Sequence, residues 1–218
     1  PFDEASGERV WNDAATSSHG TLGASGTDSA EPARVAGVAG GALRFDGAND
    51  YVEVPASSSL DIAGSFTLEA WIRRGGTGSP DVILAKEGSG RNYRFRITTG
   101  NQLELSWKTA SGTSHTTTGS RTILDTAWHH VAAIHDQERG EERIYIDGTL
   151  DGRRTDTSRP GVCTDALLLG ARRSSSLSDF FKGDLDGVRI ASRVLYATDF
   201  VPAARPAAGA PQPYVLLT

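Results

Sequence analysis

Apolar and polar residues alternate with a period of two through most of the middle of the chain. Phe66, Leu68, Ala70 and Ile72 alternate with Thr67, Glu69 and Trp71. Tyr93, Phe95 and Ile97 alternate with Arg94, Arg96 and Thr98, and Leu103, Leu105 and Trp107 with Glu104, Ser106 and Lys108. The spacing recurs in Trp128, His130, Ala132 and Ile134, then in Ile144 and Ile146, and finally in Val188 and Ile190. Successive side chains of a strand point to opposite faces, so each run predicts a strand with one buried and one wet face. Turn signals separate the runs: Gly75-Gly76, Gly88-Ser89-Gly90, Gly100-Asn101, Gly140 and Asp147-Gly148. Asp147-Gly148 predicts a tight hairpin, and Gly100-Asn101 joins its two flanking strands the same way. Short antiparallel strands with almost no helical periodicity predict an all-β fold, a two-sheet sandwich or jelly roll. The one predicted helical turn falls near residues 192–199.

The ends differ from the middle. Residues 1–40 are rich in Gly, Ala and Ser with weak alternation, which predicts loops and short edge strands around the sandwich. Residues 201–213 read as a Pro/Ala-rich, semi-rigid linker. Residues 214–218 return to strand chemistry, either closing the sandwich or leading to a next module. A chain of 218 residues suits one sandwich of about 200 residues. Methionine is absent, at position 1 as elsewhere, which is read as excision from a larger protein.

Charge and cysteine then remove classes. Twenty-two Lys and Arg stand against 27 Asp and Glu, a net charge of −5, which argues against nucleic acid as a partner. No run approaches the roughly 18 apolar residues of a membrane span. The single Cys163 excludes an internal disulfide and a Cys-clustered zinc site, and is read as a small half-buried residue. No nucleophile elbow, zinc motif, P-loop or dinucleotide fingerprint occurs.

An ordered set of short motifs resembles bacterial laminin-G-like domains. It runs from Pro1-Phe-Asp-Glu4 through Asp13 to His19-Gly20-Thr-Leu22, Gly40-Gly-Ala-Leu-Arg-Phe-Asp-Gly47 and Asp50-Tyr51-Val52. Phe66-Thr-Leu-Glu-Ala-Trp-Ile72, Trp128-His-His-Val-Ala132 and Ile144-Tyr-Ile-Asp-Gly148 follow, then Leu169-Gly170 and Gly183-Asp-Leu-Asp-Gly-Val-Arg-Ile190. The resemblance implies the concanavalin A-like lectin and glucanase architecture. It also implies a non-catalytic module of a larger secreted or surface protein that binds glycans or glycoproteins. A structural or adhesive module, through neighbouring modules or self-assembly, is the alternative, and a sandwich-fold glycosidase or lyase a lesser one. Against catalysis, Glu69 stands alone in its strand and Glu141-Glu142 precedes a hairpin strand.

The resemblance also implies a structural calcium ion, held by Asp186, by the carbonyl of Gly41 and by an N-terminal loop around Asp13. Spacing puts Asp184 and Asp186 on one strand face with Val188 and Ile190, and a bare carboxylate on a core face would cost several kcal/mol. A hydrogen-bonded structural Asp186 is the other reading. Asp46 and Asp50 read as turn carboxylates. The acidic calcium ligands that pentraxins carry after the equivalent of Leu169-Gly170 are replaced here by Arg172 and Arg173, which disfavours that type of site. For glycan binding the candidates are Trp71, whose ring lies opposite the core set, and Arg172 with Arg173, whose forks match anionic groups. The bland reading of the 19 arginines is solvated strand faces paired with Glu69, Glu104 and Glu142. His129-His130 diverge on a strand and read as structural.

Overall fold

A computed structural model describes residues 9–10, 19–23, 29–204 and 214–217. In chain order the first strands are β1 (Arg9–Val10), β2 (Gly20–Leu22), β3 (Ala33–Ala36), β4 (Gly41–Asp46), β5 (Val52–Val54) and β6 (Phe66–Arg74). Next come β7 (Asp81–Glu87), β8 (Arg91–Ile97), β9 (Gln102–Lys108), β10 (Ser114–Thr122), β11 (Trp128–Asp136) and β12 (Glu141–Ile146). The last are β13 (Thr149–Thr155), β14 (Leu167–Leu169), β15 (Arg172–Arg173), β16 (Leu177–Ser178), β17 (Lys182–Ala191) and β18 (Tyr214–Leu217).

These strands build two antiparallel sheets, the jelly-roll sandwich that the alternation predicts. The first runs β1-β2-β5-β14-β7-β8-β9-β10, and the second β13-β12-β11-β6-β17-β4-β3. β4 covers only residues 182–185 of β17, and β18 pairs beside residues 188–191. β12 and β13 meet at Asp147-Gly148, whose φ angles of 53° and 74° give the positive pair of a hairpin turn whose twist matches its strands. Phe66, Leu68, Ala70 and Ile72 of the second sheet bury against Tyr93, Phe95, Leu105 and Trp107 of the first. Cys163 is buried, and its thiol donates to the Lys86 carbonyl (3.4 Å).

Three local expectations are corrected. Residues 192–199 form no helix; the described helical turn is instead a 3₁₀ turn at Ser58–Leu60, capped by Ser57. The later segment lies flat on the outer face of the second sheet. Thr67 Oγ1 donates to the Arg193 carbonyl (2.9 Å) and accepts from the Leu195 N–H (3.1 Å), while the Phe200 N–H donates to Gly148 (2.9 Å). Its backbone finds partners in the sheet, so it has no need of its own helical ladder.

That covering strap explains the second correction. In β11 the residues that face the core are Val131 and Ala133, not the expected His130, Ala132 and Ile134. Ala132, Ile134 and Tyr145 point outward, beneath Val194, Tyr196 and Phe200. When both faces of a strand are covered, alternation does not tell which is inside.

The third concerns β17. Register slips between Asp186 and Arg189 at a bulge around Gly187 (φ 55°), so parity reverses along the strand. Leu185, Val188 and Ile190 are all core residues, while Asp184 and Asp186 lie on the opposite face from them. The carboxylates therefore share no face with Val188 and Ile190.

Candidate functional site

β17 lies between β4 and β6, and this order assembles a polar row on the outer face of the second sheet. Asp184 stands directly across from Arg44 on one side and Arg73 on the other. Inward-pointing Leu43, Phe45, Ile72 and Leu185 flank the three, so all three side chains emerge outward. Asp184 Oδ1 accepts from Arg44 Nε (2.8 Å), and Oδ2 accepts from Arg73 Nε (2.7 Å) and Arg44 Nη2 (3.3 Å). Arg73 Nη2 also donates to Oδ2. The carboxylate is 3% exposed, while the Arg44 and Arg73 side chains are 55% and 33% exposed. Arg73 is further oriented by Trp128, whose ring centroid lies 5.0 Å from the guanidinium carbon.

This row forms one wall of an open cleft of about 760 Å³, within the range of small-ligand sites. Lys182 reaches over it because glycines clear its path. A Cβ on Gly47 would lie 2.8 Å from the Lys182 Cβ, and one on Gly75 would lie 3.3 Å from its Cγ. Gly183, at φ 140°, allows β17 to approach β6; a Cβ there would sit 2.2 Å from the Arg73 carbonyl oxygen. The next row of the same sheet face sets Asp46 across from Lys182, and Glu31 and Asp50 also line the cleft. Asp46 Oδ1 accepts from the N–H of Ala48 (2.7 Å), and Asp50 Oδ2 accepts from the N–H of Asp46 (2.8 Å). Both are the turn carboxylates expected from their positions. Burial pushes the Asp50 carboxyl above the usual carboxylate range.

The residues singled out from sequence fall elsewhere and apart. Trp71 lies on the outer face of the second sheet, edge-on to His130 at 5.3 Å, and its Nε1 donates to the Ala203 carbonyl (3.1 Å). Arg172 and Arg173 form β15, in a small hairpin with β16. Arg172 Nε pairs with Asp179 (2.6 Å) and Arg173 Nη2 with Glu53 (2.7 Å), a residue of the first sheet. Trp71 and the two arginines therefore form no common site. The strand arginines are paired: Arg94 with Glu87 (3.3 Å), Arg96 with Glu104 (2.7 Å) and Arg189 with Glu69 (2.6 Å). His129 bridges Asp147 (2.7 Å) and Asp125 (3.0 Å), while His130 is buried, so the neighbours diverge.

Asp186 is almost fully buried under the loop between β3 and β4. Its Oδ2 accepts from the N–H groups of Val38 (2.7 Å) and Ala39 (3.3 Å). A Cβ on Gly37 would lie 2.4 Å from that oxygen and 2.8 Å from the Gly41 carbonyl oxygen, so both oxygens face one small space. A carboxylate beside a carbonyl suits the oxygen preference of calcium. Asp13 lies outside the described residues, and among those described no three His, Cys, Asp or Glu side chains cluster for a metal.

Arg44 and Arg73 were not singled out as a pair by sequence. The signal present was the cluster of Gly75-Gly76 and Gly183 near charged strand ends, which is a cleft floor only once β17 lies between β4 and β6.

Similar folds occur in solved structures. The binding domain of Paraclostridial Mosquitocidal Protein 1 matches with a TM-score of 0.64 and 16% identity, over 81% of this chain and 45% of that one. Domain 4 of AbnA, a GH43 extracellular arabinanase from Geobacillus stearothermophilus in complex with arabinotriose, matches with a TM-score of 0.55 and 18% identity. That match covers 78% of this chain and 81% of that one. The Ruminococcus gnavus IT-sialidase CBM40 bound to alpha2,3 sialyllactose gives a TM-score of 0.55 and 14% identity, over 72% and 91% of the two chains. The chain thus spans less than half of the mosquitocidal binding domain and most of the other two. No curated protein matches the chain in sequence. Residues 46–199 match the laminin-G family described as the concanavalin A-like lectin/glucanases superfamily, and the chain belongs to that family.

Proposed function

We propose that this domain is a non-catalytic module that binds glycans in the cleft where β4, β6 and β17 meet. The observation that carries the reading is the preorganised row Arg44–Asp184–Arg73 on the wall of that cleft. A buried carboxylate and the Trp128 ring fix two partly exposed guanidinium groups before any ligand arrives, so little side-chain freedom is lost on binding. The same pairing argues against hydrolysis. Asp184 is neutralised by two cations and Asp46 and Asp50 are committed to turn N–H groups, which leaves Glu31 as the one described cleft carboxylate outside such contacts, and one carboxylate makes no acid and base pair. The complexes of the arabinanase domain with arabinotriose and of the CBM40 with sialyllactose support a sugar-binding use of this fold. A secreted or surface setting, within a larger protein, fits the same use.

The test is a glycan array probed with the whole chain, followed by titration calorimetry. Binding that weakens on Lys182→Ala while the melting temperature holds supports the reading; silence across a broad panel removes it. Within the same reading, a structural calcium ion would be held by Asp186, the Gly41 carbonyl and Asp13, and would fasten the loop between β3 and β4. A rise in melting temperature with calcium, reversed by chelator, supports the ion; no shift at saturating calcium removes it.

A further inference from the structure

We infer that the cleft selects neutral, hydroxyl-rich saccharides over sialylated or sulfated ones, an inference that rests on the glycan-binding reading above. The side chains of Arg44, Arg73 and Lys182 share the cleft with Glu31, Asp46, Asp50 and Asp184, while Arg74 turns inward to Asp81, so it offers no positive field to an anion. More telling is how the arginines are used. An anionic group is gripped best by the fork edge of a guanidinium, formed by Nε and one Nη. Both forks are spent inside the protein: Arg44 places Nε and Nη2 on Asp184, and Arg73 does the same. A ligand carboxylate or sulfate could take the fork edge only by displacing a carboxylate that is 3% exposed, and the outer N–H groups left to it belong to cations whose charge Asp184 already balances. Beside the row it would also meet Glu31, Asp46 and Asp50, which repel it.

What the cleft presents instead are single donors and single acceptors. Arg44 Nη1 and Arg73 Nη1 make no hydrogen bond to the described residues, and Lys182 ends in an exposed ammonium held over Gly75 and Gly76. These donate, and the carboxylates of the neighbouring row accept. Sugar hydroxyls do both at once, so a polyol can engage both rows without disturbing the Asp184 pairing.

The experiment compares one neutral oligosaccharide with its sialylated and its sulfated forms, by calorimetry on the whole chain at about 50 and about 500 mM NaCl. The neutral form should bind at least as tightly as either charged form, with Kd changing less than about twofold across the salt range. Lys182→Ala should weaken neutral binding about tenfold without lowering the melting temperature, and Arg44→Ala should weaken it as much with a lower melting temperature, because buried Asp184 loses one of its two partners. Tighter, salt-sensitive binding of a charged form overturns the inference while leaving the glycan reading intact. Neutral binding that neither substitution affects overturns the assignment to this cleft. No binding to any glycan overturns the broader reading and this one with it.

Discussion

The buried ion pair between Arg74 and Asp81 should be the most sensitive point beneath the cleft. Both residues are 2% exposed, and Arg74 Nη2 lies 2.6 Å from Asp81 Oδ2. Arg74 Nη1 also donates to Asn101 Oδ1 (2.8 Å) and to the Ile123 carbonyl (2.7 Å), so one side chain ties β6 to the first sheet. Arg74→Met keeps the packing volume but strands a carboxylate away from water and takes the donor from the Ile123 carbonyl, while Asn101 Oδ1 keeps the Gly78 N–H (3.2 Å). Breaking one side of such a pair costs about 3–5 kcal/mol, against a total stability of about 5–15 kcal/mol. The loss should depend on pH. Burial already pushes the Asp81 carboxyl above its ordinary value of 3.8, with Arg74 pulling the other way, and removing Arg74 raises it further. Between 3.8 and the folded value the native state binds the extra proton, so stability falls as pH rises through that window. Urea unfolding near pH 4 and near pH 7 should therefore show the larger deficit at the higher pH. Adding Asp81→Leu should recover most of it. A deficit below about 1 kcal/mol, equal at both pH values, would falsify the claim that this pair is desolvated and mutually required.

The other predictions concern the strap, the histidines and the cleft floor. Burial, aided by Arg189, lowers the His130 imidazole from 6.5 to about 4, so its NMR resonances should stay flat down to pH 5. Because the unfolded chain takes up that proton first, stability on the order of 3 kcal/mol should drain away as pH falls from 6.5 toward 4. For His129 burial pulls the same way, but hydrogen bonds to Asp147 and Asp125 outweigh it and raise the imidazole above 6.5. Titration of both histidines below 6 would contradict this assignment. Phe200→Ala removes the ring stacked on Tyr196 at 3.5 Å and edge-on to His130 at 5.6 Å. About 1–3 kcal/mol should go, with faster proteolysis in residues 192–204; unchanged cleavage would count against the strap as a packed element. Gly183→Ala forces a Cβ to 2.2 Å from the Arg73 carbonyl oxygen at φ 140°, and should cost at least about 2 kcal/mol by thermal melt. A neutral result would mean that β17 and β6 can separate freely there.

Period-two alternation is a local property, so it was readable wherever one face of a strand is covered and the other is not. It placed Phe66–Ile72, Tyr93–Ile97 and Leu103–Trp107 on the core, and Asp147-Gly148 at a hairpin, as the structure has them. It erred in β11 because the strap covers the outer face, and in β17 because the bulge at Gly187 shifts parity by one residue. Neither feature has a period to read.

The sequence by itself therefore determined the sandwich, the turns and the family. Only the tertiary structure decided which charges meet. Arg44, Arg73 and Asp184 are distant in sequence and adjacent in space because β17 inserts between β4 and β6. The same topology puts Trp71 under the strap and seats Arg173 against Glu53 of the first sheet. Alternation says which face a side chain occupies, but cross-strand partners depend on sheet order and register. Those are fixed by packing of the whole chain, and a binding site is made of partners.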